Sequence, residues 1–184
     1  ATDAETYQCI FAEEEGAVVS PAAGLHFSRE LLTRLQIKGV KKAFVTVHCG
    51  LGAFREIDVE DLTKHRMDSE QMKASPELVE QVNSAKDRGK HVCAIGTSVL
   101  RAITTADSMG GHMKTYDGWT NKFIFPPYDF GVCTDLVTNF HMPYSTMLMM
   151  AAAFGGYDLV MKAYEIAIEE KYRFGCYGDA MLII

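Results

Sequence analysis

An α/β fold, with a mixed or open barrel-like sheet and helices around it, is what the sequence predicts. Three observations lead there. Short apolar runs of strand length recur along the 184 residues, at 43–49 (AFVTVHC), 91–95 (HVCAI), 135–138 and 180–184. Between them lie longer segments whose apolar residues return at the helical period. Capping residues mark where those segments start and stop, which sets helices between strands as in a helix-covered sheet. The length suits one domain over residues 1–184 with a real core.

Taken in order, Ser28 caps a helix over 29–37 that carries Leu31, Leu32 and Leu35 on one face, and Gly39 ends it. The run 43–49 alternates like a strand. Residues 50–74 form the one long irregular stretch, containing GLGAFREI and HRMDSE, and a loop of that length in a compact domain is more often functional than idle. Ser75-Pro76 opens the next helix in the favoured cap-then-proline order, and it runs to Arg88-Gly89. Strand 91–95 leads through Gly96-Thr97-Ser98 into a helix ending near Ser108. Residues 122–125 and 135–138 read as two more strands, 145–154 and 158–172 as helices, and 180–184 as a last buried strand.

Composition narrows the class. Hydrophobic residues make up 48% and charged residues 23%, ordinary globular usage. The net charge of −6 gives no general attraction to phosphate backbones, so nucleic acid would need a local patch or a positive field supplied elsewhere. The five cysteines are scattered and never spaced C-x-x-C, as expected for reduced thiols in a cytoplasmic protein. The apolar run 147–154 is too short to span a bilayer, and no membrane association is expected. The start, ATDAETYQ, lacks a signal-peptide pattern and an initiating Met, as expected of a processed product or a fragment.

Polar clusters follow the strand-like runs: His48-Cys49-Gly50 with Arg55, Gly96-Thr97-Ser98 with Arg101, and Asn139-Phe140-His141. Ligands of α/β sheets collect beyond strand ends, so these loops are expected to fold inward and line one cavity. Thr97 and Ser98 sit at a helix start, where an anion is favoured or where they serve as a plain cap, and Arg101 lies one turn in. Arg55 has no near partner in sequence but Glu56. In HRMDSE no second His stands at metal-binding spacing and no Cys is at hand, so no metal is expected; Glu70 is read as a loop acid, a base or a ribose ligand. His26 lies between apolar neighbours, Asp179 stands before the last strand as a turn cap or a site acid, and Tyr177 precedes it. In TNFHMPYST, Pro143 holds the preceding chain extended while Ser145 and Thr146 open an apolar helix.

YQCIFAEEEGAVVSPAAGLHF, HCGLGAFREI, HRMDSE, TNFHMPYSTMLMM and AYEIAIEEKYRFGCYGDAMLI, in collinear order from Tyr7 to Ile184, resemble the S-adenosylmethionine:tRNA ribosyltransferase-isomerase family of queuosine biosynthesis. The resemblance implies transfer and isomerisation of the ribosyl part of S-adenosylmethionine onto a 7-aminomethyl-7-deazaguanine base in tRNA. Epoxyqueuosine forms, and adenine and methionine leave. It also implies a parent in which a small β-barrel is inserted into an α/β domain, this chain being the part after that insertion. The sequence departs from the usual family pattern at Tyr144, commonly Lys, at Asp68, often His, and in GTSVLR, commonly GTTSVR.

That chemistry needs a base to take a proton from the ribose carbon beside the sulfonium, a donor for departing adenine, and partners for the ribose. His141 and His26 are the candidates for proton transfer, with Glu70 and Asp179 for ribose or sulfonium contact. Arg55 and Arg101 are candidates for a carboxylate or phosphate, and His48, Thr97, Ser98, Asn139, Ser145, Thr146 and Tyr177 for binding. The main rival is a fragment or partner subunit that folds and binds S-adenosylmethionine or tRNA but does not catalyse alone. A methyltransferase is disfavoured, because the glycine-rich turn and second-strand acid of that fold are missing. The polar clusters argue against a purely structural domain.

Overall fold

The computed structural model describes residues 6–108 and 110–184. A 3-10 turn at Ala22–His26 leads into α1 (Arg29–Ile37), where the Ser28 hydroxyl accepts the Leu31 N–H at 3.1 Å. Gly39, at φ +81°, supplies the left-handed residue that ends it. The remaining helices are α2 (Pro76–Asp87), α3 (Thr97–Ala106), α4 (Thr146–Gly155) and α5 (Tyr157–Glu169).

The strands divide into two three-stranded sheets. In one, β2 (Glu70–Ala74) pairs antiparallel with both β1 (Thr46–Val47) and β4 (Tyr116–Thr120). In the other, β5 (Asp135–Asn139) runs parallel to β3 (Cys93–Ile95) and antiparallel to β6 (Ala180–Ile183). The α/β class holds, and the second sheet is mixed.

Helix α3 touches strands of both sheets and buries residues on most of its circumference, among them Leu100, Ala102, Ile103 and Ala106. Met72, Leu100, Ile124 and Leu136 are wholly enclosed around it, each side chain contributing about 2 kcal/mol by leaving water. A second cluster, Phe140, Ala151, Val160, Tyr164 and Ala167, joins the end of β5 to α4 and α5. Phe140 meets Tyr164 edge-on there, ring centroids 5.2 Å apart. Helix α4, apolar nearly all round, buries Met150, Ala151 and Ala152 but leaves Met147 and Met149 half-buried.

Three sequence expectations need correction. The strand over 43–49 contracts to Thr46–Val47. The stretch 50–74 is not irregular throughout, because its last five residues are β2, with Glu70, Met72 and Ala74 facing inward. An inward glutamate breaks the apolar alternation that announces a strand, so the period was invisible. Residues 122–125 are not a strand; their apolar character reflects Ile124 plugging the core and Phe123 meeting the His65 ring at a tilt, centroids 4.7 Å apart. The strand in that region is instead β4 (YDGWT), whose Gly118 and Asp117 are poor strand formers recruited by pairing with β2. All five cysteines are free thiols. Among the described residues, no helix is long and apolar enough to cross a membrane.

Candidate active site at the strand ends

Two groups of polar residues form where strands end. The first surrounds the opening turns of α3. Gly96, at φ +107°, lets the chain turn from β3 into the helix, and its N–H donates to Val137 O of β5 at 2.8 Å. One turn on, Arg101 is only 4% exposed and forms an ion pair with Glu70, also 4% exposed. Burial depresses the Arg101 pKa, since a charge in a low-dielectric interior is disfavoured without a partner. Glu70 answers that need and also accepts the Gly50 N–H through Oε1 at 2.9 Å, tying the GLG loop to α3. The charge that hid β2 from the sequence pattern is thus the counterion of a helix residue. Arg101 Nε has no hydrogen-bond partner among the described residues. Cys49 lies beside this pair; burial pushes its thiol up, opposed by the Arg101 charge and by a Ser98 hydrogen bond. Thr97 is buried and Ser98 half-buried.

His48 stands at the lip of this group, where two hollows of about 180 Å³ each meet. Gly16 packs flat against its ring. A Cβ there would lie 2.7 Å from His48 Nδ1, and the φ of +141° suits only glycine.

The second group lies at the exit of β5. Asn139, buried, donates through Nδ2 to Gly175 O at 3.1 Å and Gly178 O at 3.3 Å. Its Oδ1 is therefore the atom facing His26 Nε2 at 3.1 Å. An amide oxygen can only accept, so Nε2 of His26 carries a proton and Nδ1 is left as the basic nitrogen. His26 is exposed. His141 is the opposite: 9% exposed, its ring on the Thr138 hydroxyl at 2.6 Å and its backbone N–H on the Tyr164 hydroxyl at 2.8 Å. Burial lowers its pKa to about 4, so it is neutral at pH 7. Asp179 accepts from Arg173 through both carboxylate oxygens and from the Arg173 backbone, and the Arg173 side-chain hydrogen bond is the first cause of its lowered pKa. It staples the turn before β6. Tyr177 is exposed, with its ring 5.6 Å from that of Tyr7.

Ser145 caps α4, accepting the Leu148 N–H at 3.1 Å and donating to Met142 O at 2.8 Å, and Thr146 is buried behind it. The Ile57 N–H donates to Tyr144 O at 2.9 Å, which lays the GLGAFREI loop against that helix start. Arg55 pairs not with Glu56 but with Asp68, 13 positions away, at 3.0 Å and largely in solvent.

The segment from Gly16 to His26 joins the groups. Its Val18 and Val19 N–H groups donate to Cys49 O, Ala23 lies beside Gly96, and His26 reaches Asn139. Of the residues expected to line a single cavity, the two hollows at His48 have His48 and Glu70 in their walls, but not His26, Asn139, His141, Arg55 or Ser145. Thr138 and Tyr164 escaped the sequence reading because a hydroxyl within a strand or helix carries no local signal of its partner, and Arg173 because only the turn after it brings it to Asp179. Trp119, exposed at the edge of a hollow, was detectable as the only tryptophan of the chain.

Fold and site define a two-sheet α/β chain whose polar residues gather around one helix start and one strand exit. The sequence matches the family described as queuosine biosynthesis protein over residues 1–183, and the chain belongs to that family. It is 69% identical over 182 residues to an S-adenosylmethionine:tRNA ribosyltransferase-isomerase of Parabacteroides distasonis, and 65% identical to one of Phocaeicola vulgatus. Each match covers 99% of this chain and 52% of the relative, so the chain spans about half the length of the curated relatives it matches. A crystal structure of an S-adenosylmethionine tRNA ribosyltransferase from Thermotoga maritima superposes with a TM-score of 0.73 at 39% identity, over 88% of this chain and 51% of that one.

Proposed function

We propose that this chain is a single α/β domain, the part after the barrel insertion, of an S-adenosylmethionine:tRNA ribosyltransferase-isomerase working in the cytoplasm. Its substrates are S-adenosylmethionine and tRNA bearing 7-aminomethyl-7-deazaguanine, and it needs no metal. The observation that supports this reading is the fixed His26–Asn139 pair at a strand exit, in a chain 69% identical to a relative of that name.

In this reading the roles divide by exposure. His26, open to solvent and with no hydrogen bond at Nδ1 among the described residues, takes the proton from the ribose carbon beside the sulfonium. Asn139 orients it. His141, neutral and enclosed, holds the exit of β5 in place through Thr138 and Tyr164 rather than meeting substrate. Glu70 and Arg101 neutralise each other and fix the GLG loop, leaving His48 and the loop amides to face a reactant. The amides at the start of α4, with Ser145 and Thr146, and the exposed Arg55 meet anionic groups of the cofactor or the tRNA.

The test is incubation with S-adenosylmethionine and precursor-bearing tRNA, with and without the N-terminal portion found in the relatives. Mass spectrometry would follow free adenine and the heavier nucleoside. Release only in the complemented sample makes this chain one half of the catalyst; binding without release in both favours a non-catalytic binding module. A methylated product would overturn the reading.

A further inference from the structure

Trp119 is 64% exposed on β4, although a large aromatic ring is costly to leave in water. It lines a hollow of about 180 Å³ that His48 also lines. The register of β2 with β4 sets Gln71 opposite Trp119, which adds an amide to the lining. The charges nearby are mainly negative. Glu15 lines the same hollow, and Glu14 and Asp117 line the adjoining one, which also meets His48 and Gln71. Among the described residues that line the two hollows, Lys73 is the one lysine or arginine set against these acids. Glu70, also in the wall, has its charge matched by Arg101 and adds no net field. The rim backbone at Gly16 approaches His48 as closely as a missing side chain permits.

A hollow lined by an exposed indole, an imidazole and an amide, with carboxylates at the rim, repels phosphate and suits a flat heterocycle carrying positive charge. We propose that the hollow between Trp119 and His48 is the subsite for the cationic heterocycle of the reaction, stacked on the indole with its positive group toward Glu15. This rests on the function proposed above, where two reactants share that chemistry. S-adenosylmethionine carries an adenine with a sulfonium and an ammonium. The acceptor base carries a primary ammonium on a deazaguanine whose ring N–H groups can donate to a carboxylate.

Because Trp119 is the sole tryptophan of the sequence, indole-selective fluorescence reports the surroundings of this residue. The protein would be titrated with S-adenosylmethionine and, separately, with free 7-aminomethyl-7-deazaguanine, with adenosine and 7-deazaguanine as uncharged controls. Calorimetry would run in parallel. A saturable fluorescence change is expected with at least one charged ligand, and which one responds identifies the occupant. The matching uncharged control should bind at least about threefold more weakly. In calorimetry, Trp119→Ala should weaken binding at least about fivefold, with Trp119→Phe retaining most of it, and Glu15→Gln should weaken the charged ligand but not its control.

Heat of binding with no fluorescence change, equal affinity for charged and uncharged ligands, or no response to either ligand up to about 1 mM would overturn the proposal. The two readings fail separately. A complemented Trp119→Ala enzyme with parental KM for both substrates removes the subsite and leaves the activity standing. A complemented parental enzyme that releases no adenine removes the activity.

Discussion

The region around α3 and the region at the exit of β5 both hold polar side chains away from water, but by different means. Around α3 the anchor is charged: Arg101 and Glu70 neutralise each other inside the core. At the β5 exit it is neutral, a chain of amide, hydroxyl and imidazole groups from Asn139 through Thr138 to His141 and Tyr164. A buried ion pair resists removal of either partner, because the survivor is left as an uncompensated charge. A neutral network loses less when one member is deleted, but it can be charged by a change of pH. The first region should therefore fail under substitution and the second under acid.

The largest effect is expected from Arg101→Met, which strands Glu70 and should cost about 3–5 kcal/mol in a urea unfolding experiment. Adding Glu70→Leu should recover much of that loss; a double variant as unstable as the single one would mean that charge is not what matters around α3.

Acid comes next. The folded pKa of His141 is about 4, against about 6.5 for a free imidazole, so folding favours its neutral form. Its contribution is complete above about pH 6.5 and is lost as pH falls toward 4, amounting to about 3 kcal/mol. Unfolding curves across that window should be steeper for the parent than for His141→Gln, and parallel curves would contradict the placement.

A smaller loss, about 1–3 kcal/mol, is expected for Asn139→Leu, which leaves the Gly175 and Gly178 carbonyls without their amide donor. Amide exchange at residues 175–179 should rise with it. Ser145→Ala should cost least, about 1 kcal/mol for a lost helix cap, and should leave the acid sensitivity of the β5 exit unchanged.

The same contrast explains what was legible in the sequence. Helix starts were readable because their signals are local: Ser28, Ser75 and Ser145 each cap a helix over the predicted residues to within a position. Strands β3, β5 and β6 were readable as apolar runs, and Ala94 and Leu136 are wholly enclosed, but the last strand is less buried than expected, with Leu182 60% exposed and Cys93 of β3 also exposed. Strand β2 was not, because Glu70 faces inward to meet an arginine 31 positions away, and no window of sequence shows such a pairing. Among site residues, the location of the clusters after strand-like runs could be read, but not the partition of exposed from enclosed. His26 and His141 look alike as letters; only the fold sets one against Asn139 in solvent and the other behind Tyr164. Asp179 likewise has Arg173 six positions before it, yet the turn that brings them together is set by Gly175 and Gly178.

His26 carries the central mechanistic assignment, and adenine release by His26→Ala in the complemented protein tests it most directly. With S-adenosylmethionine and precursor tRNA saturating, a single-turnover rate about 10²–10⁴-fold below the parent is expected, while the two substrates still bind. Release at the parental rate would show that His26 does not transfer the proton.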